Sequence, residues 1–110
     1  MPVTEITSLR QFQRVNAGPN KIIIYSKASW CRPCETIGPI FEKLAAQHEG
    51  KIDFYVFDVD EVADLPEELG IRSMPTFIYL KDGLPRGQVV GANASKLEEF
   101  FTKALEDESS

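Results

Sequence analysis

Three observations on this chain predict an α/β fold, a three-layer α/β/α sandwich with a central mixed β-sheet. Apolar runs of strand length alternate with apolar stripes at helical spacing through most of the sequence. The helices between the early strands require parallel crossovers, whereas the last two strand-like runs flank the short turn Lys81-Asp82-Gly83-Leu84, which makes them an antiparallel hairpin. The length of 110 residues, with 43% hydrophobic and 26% charged residues, suits one compact domain over residues 1–110 and leaves no room for a second.

Taken in order, Val3 to Ile6 reads as a short strand, and Ser8 with Gln11 three residues later forms the capping-box pattern of a helix through about Val15. Gly18-Pro19-Asn20 breaks that helix. Ile22-Ile23-Ile24-Tyr25 is a β-branched run without alternation, the pattern of a central strand buried on both faces. Ile37, Ile40, Phe41, Leu44 and Ala45 then mark an amphipathic helix ending near Gly50, with Pro39 inside it and expected to kink it. Ile52 to Phe57 forms the next strand, and Asp64, Pro66 and Glu67 open a short helix that ends at Gly70. Thr76 to Leu80 and Gln88 to Val90 are the hairpin strands. Ser95 with Glu98 caps a last helix whose inner stripe is Leu97, Phe100, Phe101, Ala104 and Leu105, and the acidic tail from Glu106 to Ser110 is expected to fray.

The formal charge of −5, with no cluster of Lys and Arg to override it, repels nucleic-acid phosphates and anionic lipid. Proteins are the expected partners, with no nucleic acid and no membrane. No stretch reaches the length of a membrane span, and Met1 to Arg10 lack the apolar core of a secretory signal. With two cysteines only three positions apart, no disulfide framework staples the fold, so a reducing, cytoplasmic location is expected.

Those cysteines lie in Trp30-Cys31-Arg32-Pro33-Cys34, just past the carboxyl end of the Ile22 strand, where sites gather in open α/β sheets. Two thiols at this spacing close and reopen a small disulfide: the more exposed thiolate attacks a disulfide in another protein, and its neighbour displaces that protein. Both stand at a helix entry, where unpaired N–H groups and the dipole favour a thiolate, and Cys31, at or before the cap, is the expected attacker. Arg32 adds a permanent cation beside it, and Pro33 suits the first helical turn. A structural zinc site needs about four ligands, and the chain offers no further Cys and only His48, so no metal is expected. Asp58, Asp60, Glu61 and Asp64 read as a solvated face. Trp30 has two readings, a core aromatic or a flat contact surface beside the attacker.

These residues resemble the thioredoxin family from Val3 to about Leu105. Besides Trp-Cys-x-Pro-Cys, the resemblance rests on Ser73-Met74-Pro75-Thr76-Phe77, Asp82-Gly83 and Gly91-Ala92-Asn93, in the family's order and approximate spacing. It implies a thioredoxin fold and a protein-disulfide reductase with Cys31 as nucleophile, Cys34 as buried resolving thiol, and Pro75 as a cis proline facing them. It also implies that the backbone of Met74 pairs with an extended substrate chain, and that Trp30, Gly91 and Ala92 border the contact area. Pro39 matches the family's helix-kinking proline. No bound cofactor is implied beyond the redox-active disulfide Cys31–Cys34. NADPH enters indirectly through a thioredoxin reductase, the substrates are disulfide-containing proteins, and the chain is expected to be a monomer.

The family usually has Gly where Arg32 stands and Lys or Arg where Glu35 stands. Its buried Asp is replaced by Tyr25, and the position that often carries the charged neighbour is Val56. Losing both members is coherent, since removing one alone strands a buried charge. Lys27 shares the strand parity of Tyr25 and is either a solvated strand-end lysine or a residue nearer the centre. Arg32 is expected to make the protein a weaker reductant by stabilising the reduced thiolate. Tyr25 is expected to slow resolution, being a poor base near neutral pH. A disulfide isomerase or oxidase of more oxidising poise, and a non-catalytic module using the substrate groove alone, are the other readings.

Overall fold

The computed structural model describes residues 2–108. In chain order they form β1 (Val3–Glu5), α1 (Leu9–Asn16), β2 (Ile22–Lys27), α2 (Arg32–Gln47), β3 (Asp53–Asp58), α3 (Leu65–Leu69), β4 (Thr76–Lys81), β5 (Leu84–Val90) and α4 (Ala94–Glu106). The sheet order is β1-β3-β2-β4-β5, with β1, β3 and β2 parallel and β4 and β5 antiparallel to their neighbours. Among the described residues no helix is long and apolar enough to cross a membrane.

The unbroken apolar run of β2 has the central place its pattern predicts, and its residues divide by parity between two cores. Ile23 and Tyr25 pack with Ile37, Phe41 and Ala45 of α2 and Leu97 and Phe101 of α4. Ile22 and Ile24 pack on the opposite face with Phe12 of α1 and Leu65 of α3. Phe41 is the hinge of the first core, its ring meeting those of Tyr25, Phe54, Phe77 and Phe101 at centroid distances of 5.1 to 6.1 Å. Lys21 ties the layers at their far end, donating from Nζ to the last carbonyls of α4, Ala104 (2.8 Å) and Leu105 (3.0 Å), where a cation also suits the helix dipole.

Ser8 caps α1 as expected, its Oγ accepting the Gln11 amide at 3.1 Å. Pro39 sits inside α2, where its missing N–H leaves the Glu35 carbonyl without a helical donor, and the helix continues on both sides. Four expectations are corrected. Asp64 stands at the N-cap of α3 but its side chain makes no capping bond. Strand β5 begins at Leu84 rather than Gln88: Pro85 and Gly87 look like breakers, yet β5 is an edge strand, and a bulge opposite Tyr79 and Leu80 absorbs the extra residue. The cap of α4 is Asn93, whose Oδ1 accepts the Lys96 amide at 2.9 Å, and Ser95 already lies within the helix. The tail is held as far as Asp107, whose Oδ2 accepts from Tyr79 Oη (2.9 Å) and Arg86 Nε (2.8 Å), while Ser109 and Ser110 lie outside the described residues.

The hairpin turn is a two-residue loop in which Asp82 and Gly83 both take positive φ, 54° and 78°, the mirror-image geometry that matches strand twist. Removing the true cap of α4 has a measurable cost. Asn93→Ala is expected to lower unfolding free energy by about 1 kcal/mol, whereas Ser95→Ala changes it by less than about 0.5 kcal/mol. Urea denaturation of both variants checks this, and the reverse order would return the cap to Ser95.

Candidate active site

The end of β2 turns into α2 through a single backbone bond, in which the Cys31 amide donates to the Ala28 carbonyl at 3.1 Å. Cys31 becomes the N-cap with extended backbone (φ −90°, ψ 100°), and its Sγ accepts the Cys34 amide at 3.2 Å. A capping serine or aspartate offers oxygen to the same orphan donor; here sulfur occupies that place. Arg32 and Pro33, both exposed, make the first helical positions, and Cys34 follows with its Cα 5.3 Å from that of Cys31 in a closed Cys31–Cys34 disulfide.

In this oxidised form both cysteines are buried, at 4% and 5% exposure, so exposure does not single out Cys31 as the sequence pattern suggests. Position does distinguish them. The helix-entry N–H points at Cys31 Sγ, and a hydrogen bond to the charged form favours the thiolate.

Three other segments converge on the disulfide. The loop before β4 contains a cis Met74-Pro75 bond, and Met74 packs against the core cluster that holds both cysteines. Ser26 fixes this loop to β2: its Oγ donates to the Thr76 carbonyl (3.0 Å) and accepts the Thr76 amide (3.2 Å), both buried. The Pro75 carbonyl accepts the Gly91 amide at 2.9 Å, which brings the start of the Gly91-Ala92 segment alongside; Gly91 has φ of 100°, a region that disfavours a side chain, and Ala92 is exposed. Trp30 is 62% exposed, which sets aside its reading as a core aromatic. Its indole N–H donates to Asp60 Oδ2 at 2.8 Å, and the Asp60 amide donates to Asp58 Oδ1 at 2.8 Å. Two of the carboxylates read as a solvated face are therefore structural. Their signal in sequence is only a short spacing after β3, since the partner lies 30 residues away.

Tyr25 lies beneath the site. Its hydroxyl donates to the Cys34 carbonyl at 3.1 Å, and its ring stacks on Phe77 with centroids 4.8 Å apart. Burial pushes its pKa up to about 12, with the negative charge of Glu42 adding to the shift. Opposite it on β3 stands Val56. A cleft of about 430 Å³ opens beside the disulfide, lined by both cysteines, Tyr25, Lys27, Val56 and Asp58, and by Glu35 and Glu42 of α2. Lys27 is half-buried at this cleft. His48, by contrast, caps the far end of α2, 5.9 Å from the Phe101 ring. Among the described residues no three His, Cys, Asp or Glu side chains are grouped to hold a metal ion.

A family model described as Thioredoxin matches residues 3–103. The chain belongs to the thioredoxin family. The thioredoxin of Malassezia sympodialis is 44% identical over 102 residues, covering 92% of this chain and 97% of that one. The crystal structure of that fungal thioredoxin superposes with a TM-score of 0.90 at 42% identity, covering 94% of this chain and 90% of its own. The oxidised form of mitochondrial thioredoxin 3 from Saccharomyces cerevisiae superposes with a TM-score of 0.85 at 34% identity, over 92% of this chain and 94% of its own. With the Cys31–Cys34 disulfide at the helix entry, this thioredoxin is a protein-disulfide oxidoreductase that reduces disulfides in protein substrates. Thioredoxins need no bound cofactor for this chemistry, since the two sulfurs carry both electrons.

The buried tyrosines give an alkaline test. Tyr25 and Tyr79 hold their protons to about 12 in the folded chain, Tyr79 through burial and its bond to Asp107, against 10.0 for the ordinary side chain. The unfolded chain therefore releases protons first, so their contribution to stability is intact below pH 10 and is lost as the pH rises toward 12. Denaturant midpoints measured across that window are expected to fall, and less steeply in Tyr25→Phe. An unchanged slope in that variant would refute the raised value.

Proposed function

We propose that this thioredoxin acts with Cys31 as nucleophile and Cys34 as resolving thiol. The supporting observation is the Cys34 amide held on Cys31 Sγ at the cap of α2, an arrangement that favours negative charge on Cys31 in the reduced protein. Thiolate attack on a substrate disulfide joins Cys31 to the substrate and releases one substrate thiolate. Cys34 then attacks Cys31 Sγ, the second substrate thiolate leaves, and the Cys31–Cys34 bond forms. Two electrons pass from the dithiol to the substrate.

The substrate lies as an extended chain along Met74, whose backbone before Pro75 offers strand-like pairing, with Trp30, Gly91 and Ala92 bordering the contact. Such pairing reads the main chain and tolerates varied sequences. Re-reduction comes from a thioredoxin reductase that draws on NADPH, in the cytoplasm, and the protein works as a monomer. Insulin reduction coupled to NADPH and thioredoxin reductase tests this: turnover is expected, whereas turnover with glutathione and its reductase alone would overturn the assignment of donor. Cys34→Ser is expected to trap the Cys31–substrate disulfide.

Arg32 and Glu35 alter the chemistry and the docking surface. The guanidinium follows Cys31 directly and, as an exposed opposite charge, favours the thiolate by a few tenths of a kcal/mol to about 1 kcal/mol. Arg32→Gly is therefore expected to make the couple more reducing by on the order of 10–20 mV. Equilibration against glutathione of known ratio measures this, and no shift, or a shift the other way, refutes the role.

A further inference from the structure

The resolving step requires Cys34 to lose a proton inside the protein. A thiol of ordinary pKa about 8.5 is mostly protonated at neutral pH, and burial raises that value. The polar side chain bonded nearest to Cys34, Tyr25, is committed as a donor to the Cys34 carbonyl and keeps its own proton to about 12. It is no acceptor. Val56, its neighbour across β2 and β3, is apolar.

Two positions along the same register stands Lys27 opposite Asp58. Residues two apart on a strand share a face, so this pair lies on the face of Tyr25 and Val56, and both members line the cleft that reaches Cys31 and Cys34. Glu35 and Glu42 of α2 also border the cleft, but both are exposed, whereas Lys27 and Asp58 are half-buried. Asp58 is the carboxylate with fixed geometry. Its Oδ1 accepts the Asp60 amide at 2.8 Å, and Oδ2 has no protein partner among the described residues. A volume of about 430 Å³ holds a short chain of waters, each occupying about 30 Å³.

We propose that Asp58, opposite Lys27 in the register, accepts the Cys34 proton through water in this cleft. Cys34 S–H gives its proton to water, and water gives one to the Asp58 carboxylate. The Cys34 thiolate attacks Cys31 Sγ, the bond from Cys31 to the substrate breaks, and its electron pair leaves on the substrate thiolate. Asp58 then returns its proton through water to that thiolate or to solvent. Lys27, opposite Asp58 in the register, borders the same cleft, where its positive charge stabilises the Cys34 thiolate.

This inference rests on Cys34 being the resolving thiol, and one experiment separates the two. Reduced protein is mixed in a stopped-flow instrument with an aromatic disulfide that releases a coloured thiolate, the first phase reporting attack and the second resolution. Cys34→Ser is expected to abolish the second phase; its persistence would remove Cys34 from the resolving role. Asp58→Asn keeps the Oδ1 acceptor for Asp60 and is expected to slow only the second phase, by about a hundredfold, the lower end for a positioned proton acceptor. Asp58→Glu recovers part of the loss, and Lys27→Met moves the pH midpoint of the second phase upward. If Asp58 were merely a negative charge, Asp58→Asn would ease ionisation of Cys34 and speed that phase. An unchanged or faster second phase, no recovery in Asp58→Glu, or the same slowing in Glu42→Gln overturns the proposal.

Discussion

Four consecutive residues of the central strand and its exit, Tyr25 to Ala28, each fix a different wall of the disulfide site. Tyr25 holds the Cys34 carbonyl from below, and Ser26 holds Thr76 and so the cis Met74-Pro75 loop. Lys27 lines the open cleft while its carbonyl accepts the Val59 amide, and the Ala28 carbonyl receives the Cys31 amide. Tyr25 and Ser26 are paired on both sides of β2, and Lys27 on the β3 side. A redox centre that must present the same groove to many substrates, with its disulfide open or closed, needs that fixed frame.

Tyr25 gives the site a neutral floor. An ionisable acid below the disulfide would carry a desolvation cost that a nearby cation must offset, and Tyr25 with Val56 opposite it incurs neither. Tyrosine fills the space with a ring stacked on Phe77 and satisfies its hydroxyl on a backbone carbonyl. The result is an apolar floor that is neutral throughout the physiological range. On this face of the two strands charge begins one strand repeat further out, at Lys27 and Asp58, which line the cleft.

Local chemistry made much of this readable from sequence. The strand parity of Ile22 to Tyr25, the helix entry at Cys31 and the Asp82-Gly83 turn depend on neighbours within a few residues. So does the Ser8 cap. Where sequence failed, the deciding contact was distant or depended on sheet position. Pro85 breaks a central strand but is tolerated at the edge, so β5 is longer than its composition suggests. Asp107 is held by Tyr79 and Arg86, about two strands earlier, and no tail composition announces that anchor. Ser95 and Asn93 both suit a cap, and local pattern alone favoured Ser95 through Glu98; the observed bond is Asn93 to Lys96.

The carboxylates at the end of β3 and just beyond it show why an acidic run resists reading one residue at a time. Asp60 fixes the indole of the exposed Trp30, and Asp58 fixes the amide of Asp60, so a single hydrogen-bonded path joins the outer contact surface to the cleft beside Cys34. Exposed ion pairs or isolated solvent-facing acids contribute little to stability. A carboxylate that accepts from an exposed indole does something different: it fixes the direction of the ring. Residues 58–60 therefore reach from the exposed indole of Trp30 to the cleft beside the disulfide, and Asp58 stands in register with Lys27 of β2.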